Sequence, residues 1–151
     1  MSLKNKINED LKRAMLSKDS QRVLTLRAIR AEILKMDKSG MNREMTADEE
    51  IQLLTKQAKM RKEAIEIYEK AGRKDLEEQE KIQLNIIGEY LPKQISKEEA
   101  KQIIAKIITD TGASDIKEFG KIMGLAMKEL KGKIEGSLVQ EIVRSKLNPN
   151  N

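Results

Sequence analysis

The 151-residue chain contains no cysteine, no histidine and no tryptophan. Without thiol or imidazole ligands, zinc sites, iron–sulfur clusters, haem ligation and thiol redox chemistry are effectively excluded. Histidine acid–base catalysis and cysteine nucleophiles go with them. The aromatic rings are three, Tyr68, Tyr90 and Phe119, too few for a platform on which unpaired bases could stack. No stretch approaches the roughly 18 consecutive apolar residues of a membrane-spanning helix. The amino end, Met1-Ser2-Leu3-Lys4-Asn5-Lys6, has no apolar run behind its basic residues and so does not read as a signal peptide. The lack of cysteine is compatible with a reducing compartment. These absences lead to the expectation of a soluble, cytoplasmic protein with no metal, no cofactor and no membrane partner.

What is present is charge and helix-forming residues. Charged residues make up 36% of the chain against 38% hydrophobic, so the core must be thin. The length allows one ordinary domain or two small ones. The net charge of +5 is a weak pointer toward polyanions, and its distribution says more. Residues 1–38 hold ten Lys/Arg against five Asp/Glu, residues 39–92 nine against twelve, and residues 93–151 eleven against eight. The basic excess therefore lies at both ends, around an acidic middle. A solvated, ion-paired helical surface accounts for such a pattern, and so does a nucleic-acid face.

Ala, Leu, Glu, Lys, Gln, Arg and Met dominate, and sustained period-two alternation is absent, which predicts an all-α fold. Four helices are expected first. One covers about 2–17, with Leu3, Ile7, Leu11 and Met15 as its apolar stripe. The next covers 19–38, with Val23, Leu26, Ile29, Ile33 and Met36 inward and Arg22, Arg27 and Arg30 outward. The third runs over 46–71 behind a capping box of Thr46 and Glu49, with Ile51, Leu54, Ala58, Arg61, Ile65 and Tyr68 on its inner side. Arg61, Lys62 and Glu66 are expected to pair on its surface. Gly72 should stop it. The fourth runs over 74–90 with Leu76, Ile82, Ile86 and Tyr90 inward. Pro92 pushes the residue before it out of helical geometry and marks a domain boundary. The expected division is an amino-terminal helical domain, 1–92, and a three-helix tail, 93–151. In the tail, Ser96 and Glu99 form a second capping box for a helix over 96–109. A helix over 114–130 should bury Ile116, Phe119, Met123 and Met127. The last, 136–147, should bury Leu138, Val139, Ile142 and Val143.

Two clusters in the tail could carry function. Gly120 and Gly124 are four residues apart and share one face of their helix. Each costs about 1 kcal/mol relative to alanine there. Close packing of another helix would explain them, and so would a bare surface for a sugar–phosphate backbone. Lys121 and Lys128 stand beside them with Lys117, and Lys131, Gly132, Lys133 and Gly136 follow in the next loop. Lysine suits phosphate contacts, and such contacts weaken as salt rises. Arg144 is a further candidate cation. No Gly-rich phosphate loop or dinucleotide fingerprint occurs. The carboxylate pairs Glu49/Glu50, Glu77/Glu78 and Glu98/Glu99 are adjacent and point to different faces, so they suit neither acid–base nor metal chemistry. No catalytic residue is nominated, and catalysis by Lys, Tyr or a carboxylate stays open.

The strings Glu69-Lys70-Ala71-Gly72-Arg73-Lys74-Asp75-Leu76, Glu89-Tyr90-Leu91-Pro92-Lys93-Gln94 and Phe119-Gly120-Lys121-Ile122-Met123-Gly124, taken in order, resemble the YqeY family. The resemblance covers nearly the whole chain, from Leu3 to Leu147. The tail is similar to the tail domain of GatB, the B subunit of the tRNA-dependent amidotransferase, which helps hold the tRNA body. The segment Lys131–Gly136 resembles the motif Lys-Gly-Arg/Lys-Ala-Asp-Gly, with Ile134 in place of alanine. The resemblance implies a non-catalytic tRNA-binding or amidotransferase-associated module. Lys121, Lys128, Lys131, Lys133 and Arg144 would meet phosphates, and Gly120, Gly124, Gly132 and Gly136 would allow close approach. An adaptor gripping a protein partner is the alternative. An accessory role in carbon–nitrogen ligation, with glutamine as amide donor, rests on the family association.

Overall fold

The structure is a computed structural model that describes residues 2–40 and 42–148. Among these residues the regular elements are seven α-helices and one short 3-10 turn, with no strand, so the fold is all-α. The helices are α1 (Leu3–Leu16), α2 (Ser20–Asp37), α3 (Ala47–Lys70), α4 (Lys74–Gly88), α5 (Lys97–Thr111), α6 (Phe119–Leu130) and α7 (Gly136–Leu147). They form two compact units that meet in sequence between Leu91 and Pro92.

Local chemistry sets the helix ends. The Ser2 hydroxyl accepts from the Asn5 N–H at the start of α1, and Asp19 accepts from the Arg22 N–H at the start of α2. At α3 the capping box is complete. Thr46 Oγ1 accepts from the Glu49 N–H at 3.2 Å, and Glu49 Oε1 accepts from the Thr46 N–H at 3.1 Å. Each bond satisfies a helix-end donor that has no partner within the helix. At α5 the hydroxyl half of the box is formed, Ser96 accepting from the Glu99 N–H. Gly72 follows α3 at φ 69°, a left-handed conformation that costs glycine little.

In the first unit α1 lies along α2, α3 along α4, and α4 also against α2. The core combines Ile7 and Leu11 of α1, Leu26, Ile29 and Ile33 of α2, Leu54 of α3, and Ile86 and Ile87 of α4. Three sequence expectations need correction here. Met15 is exposed and Ala14 is buried in its place. Steps of four residues overrotate by about 40° each at 3.6 residues per turn, so a stripe must include a step of three to stay inward. In α4, Ile82 is exposed while Gln83 and Ile87 are buried; the Gln83 amide donates to Gln21 Oε1 at 3.2 Å, which makes its burial tolerable. Among the described residues Arg61 pairs across to α4 rather than along its own helix. Its Nε lies 3.5 Å from Glu80 Oε2 on α4, with the side chains only 15% and 19% exposed.

In the second unit the core is Ala100, Ile104 and Ile107 of α5, Ile122, Ala126 and Leu130 of α6, and Val139, Ile142, Val143 and Leu147 of α7. Here too one stripe is corrected. A 3-10 turn over Ile116–Glu118 precedes α6 and leaves Ile116 exposed. The fully buried side of α6 is Ile122, Ala126 and Leu130, while Phe119, Met123 and Met127 pack at its margin. The helix is apolar around more than one stripe. Periodicity alone therefore could not choose the centre, and small Ala126 marks the side where helices approach most closely.

Candidate nucleic-acid interface

Burial of Ile122, Ala126 and Leu130 fixes which way α6 faces. At about 100° per residue, Gly120, Lys121, Gly124 and Lys128 fall on the opposite side, and all four are exposed. A Cβ built on Gly120 or Gly124 would meet no heavy atom within 4 Å. No other helix of the described residues lies close over them, so packing inside the chain does not explain why glycine occupies either position. Neither Lys121 nor Lys128 is ion-paired among the described residues. Lys117 stands beside this face in the 3-10 turn, where its N–H donates to Asp115 Oδ1 at 3.0 Å.

The remaining candidates lie off this face. Gly132 has φ 78°, so the turn between α6 and α7 itself calls for glycine. Its carbonyl accepts from Gln94 Nε2, and the Lys133 carbonyl accepts from the Ile95 N–H at 3.0 Å. The loop is thereby tied to the segment leading into α5. Ile134 packs against the core of this unit. Lys131 and Lys133 are half-buried, and Lys131 is already engaged with a neighbour. Gly136 opens α7, where an added Cβ would lie 3.9 Å from Met127 Cε, an ordinary contact. Arg144 is exposed on α7 with its guanidinium 5.1 Å from the centre of the Phe119 ring, a cation–π distance. The structure thus brings Gly120, Gly124, Lys121 and Lys128 together on one face. Gly132 lies in the turn that follows, Gly136 at the start of α7, and Arg144 against the ring that opens α6.

A second polar feature, in the first unit, was not legible in the sequence. A cleft of about 440 Å³ is lined by Lys6, Asp10, Arg13, Arg22, Glu89 and Tyr90 among others. The Tyr90 hydroxyl donates to Asp10, and Lys6 Nζ lies 5.2 Å over the Tyr90 ring. Arg22 reaches Glu89 through Nη1 at 2.6 Å and Nη2 at 3.4 Å. Burial, reinforced by the bond to Asp10, pushes the Tyr90 phenol well above its ordinary range. The Tyr90 hydroxyl is thus committed to Asp10, and Asp19 and Glu89 to Arg22. Asp10 and Tyr90 are 80 residues apart, and no sequence pattern links them. Among the described residues no three Asp or Glu side chains gather as a metal site, and no helix is long and apolar enough to cross a membrane.

Comparison with known proteins places this architecture. The family model described as Yqey-like protein matches residues 4–147. A protein of Pyrenophora tritici-repentis named "Altered inheritance of mitochondria protein 41, mitochondrial" is 30% identical, over 93% of this chain and 81% of its own length. A protein of the same name from Kluyveromyces lactis is 30% identical, over 87% of this chain and 73% of its own. Both relatives are named as mitochondrial, which overturns the cytoplasmic expectation. The physical reason is that targeting segments differ in kind. An apolar run marks a secretory signal, whereas mitochondrial transit peptides are amphipathic and basic without one, so its absence says nothing about that route. With the match spanning both helical units, the chain belongs to the YqeY family.

Proposed function

We propose that this protein is a non-catalytic RNA-binding module that meets the backbone of folded tRNA through the outward face of α6. One observation carries the reading: Gly120 and Gly124 are exposed with open space where their side chains would be, and unpaired lysines stand beside them. Each glycine costs the helix about 0.5–1 kcal/mol relative to alanine. No contact within the described chain offsets that cost, so close approach by something outside the chain is a sufficient reason to keep them. A bare helix face flanked by ammonium groups suits a sugar–phosphate backbone, which is read by charge and shape. Stacking on single-stranded bases is not supported. Phe119 is partly buried against the core with Arg144 over its ring, and the other two rings belong to the first unit. The similarity of the tail to the tRNA-holding tail of the amidotransferase B subunit supports the same reading.

The test is a tRNA titration of the parent and of Lys121→Glu/Lys128→Glu at about 50 and about 200 mM salt. Each lost phosphate contact should cost roughly 1 kcal/mol or more and lower the slope of log affinity against log salt by about 1. Lys59→Glu, an exposed charge reversal on α3, serves as the control. Equal affinity and equal slope for the parent and the α6 variant would remove this face from consideration.

A further inference from the structure

In the first unit, α2 carries apolar side chains on two sides. One side is the core stripe Leu26, Ile29 and Ile33. The other is the succession Leu24, Arg27, Ala31 and Leu34, spaced three, four and three residues apart and exposed throughout. Here the second side is open, with Leu24 56% exposed. The end of α1 extends the same surface. Met15 is 47% and Leu16 78% exposed, and Arg27 Nη2 lies 3.8 Å from Met15 Sδ. That contact and the Lys4–Asp37 pair at 2.7 Å set the antiparallel register of the two helices and bring Lys12 level with Arg30. Lys12, Arg27 and Arg30 are exposed and are not ion-paired among the described residues. Glu9 is the one carboxylate close by on α1, exposed one turn before Lys12.

We propose that this α1–α2 face docks an acidic amphipathic helix of a partner protein. Its leucines would enter between Leu24, Leu34 and Met15, and its carboxylates would meet Lys12, Arg27 and Arg30. Spacings of three and four residues are those by which one helix accepts the side chains of another. The stripe from Leu24 to Leu34 is about 15 Å long at 1.5 Å per residue, the length of nearly three helical turns. Charge selects the occupant. A second copy in a two-fold contact would set the same cations against themselves. An RNA backbone would leave the leucines unmatched. A lipid surface is ordinarily engaged with aromatic anchors, and none of the three rings lies on α1 or α2. The surface lies in the first unit and does not depend on the α6 reading, so the two can fail separately.

The experiment uses the full chain and two synthetic helical peptides of equal length. Both have leucines at alternating spacings of three and four; one carries glutamates at the flanking positions and the other lysines. Binding is followed by fluorescence anisotropy. The acidic peptide should bind at least tenfold more tightly than the basic one. Leu24→Gln/Leu34→Gln should reduce its affinity at least tenfold while the helical circular-dichroism signal stays that of the parent, Leu24 being 56% and Leu34 37% exposed. Arg27→Glu/Arg30→Glu should abolish the preference for the acidic peptide while leaving tRNA affinity as in the parent. Failure of the acidic peptide to bind, or equal binding of both peptides, overturns the proposal. So does binding to phosphatidylglycerol vesicles, or dimerisation in sedimentation, that Leu24→Gln/Leu34→Gln removes, since each assigns the face to another occupant.

Discussion

Replacing Gly120 and Gly124 by alanine should stabilise the second unit and weaken its grip on RNA. Both glycines lie in α6, and neither is among the residues with positive φ. Alanine can therefore adopt the same backbone conformation without strain. The added methyls meet nothing within 4 Å, so no overpacking opposes the change. Alanine is favoured over glycine in a helix interior by about 0.8–1 kcal/mol, partly by restricting the unfolded chain. Gly124 is interior and should give most of that. Gly120 is the second residue of α6 and should give about half. The expected gain is about 1–1.5 kcal/mol. At about 1–2 kcal/mol per molar urea it raises the midpoint of this unit by roughly 0.5–1.5 M. Circular dichroism in urea, with amide exchange at Val139 and Ile142 to isolate the second unit, reads it. In the same protein tRNA affinity should fall, because two methyl groups now stand where a backbone would approach. Gly132→Ala provides the opposite control. At φ 78° it should destabilise by about 1–2 kcal/mol. A destabilised Gly120→Ala/Gly124→Ala protein would mean that something already occupies the face. Higher stability with unchanged tRNA affinity would leave the glycines without the role assigned to them.

Thr46→Ala should cost the first unit about 1 kcal/mol, measured by urea unfolding, because the Glu49 N–H loses its acceptor. The same cap gives an acid dependence. Glu49 is held down from 4.5 to about 2 by its bond to Arg43 and by the Thr46 N–H. Its contribution is therefore present above pH 4.5 and is lost as pH falls toward 2, and Glu49→Gln should flatten that part of the acid-stability curve. Tyr90→Phe removes the bond to Asp10 and should cost about 1–2 kcal/mol near neutral pH. Because burial and Asp10 raise the Tyr90 pKa, the contribution is complete below the ordinary phenol range. It is lost as pH rises above about 10, where the unfolded chain ionises first. The difference between variant and parent should therefore narrow in alkaline unfolding series.

Where an outcome depends on neighbours in the chain, the sequence specified it. Thr46 with Glu49, Asp19 before α2 and Gly72 after α3 act over one turn of helix, and each is found where local chemistry puts it. The all-α class followed from composition for the same reason. Choices among competing stripes did not follow. Ala14 displaced Met15, and Ile122, Ala126 and Leu130 displaced Ile116 as the buried side of α6, because partner helices select which apolar stripe is covered. Arg61 with Glu80 and Tyr90 with Asp10 join residues that only the fold brings together. The spacing of Gly120 and Gly124 was compatible both with a helix packed closely over them and with a bare face. Both need the same absent side chains, and only the placement of every other helix decides whether anything lies above them. Among the described residues nothing does.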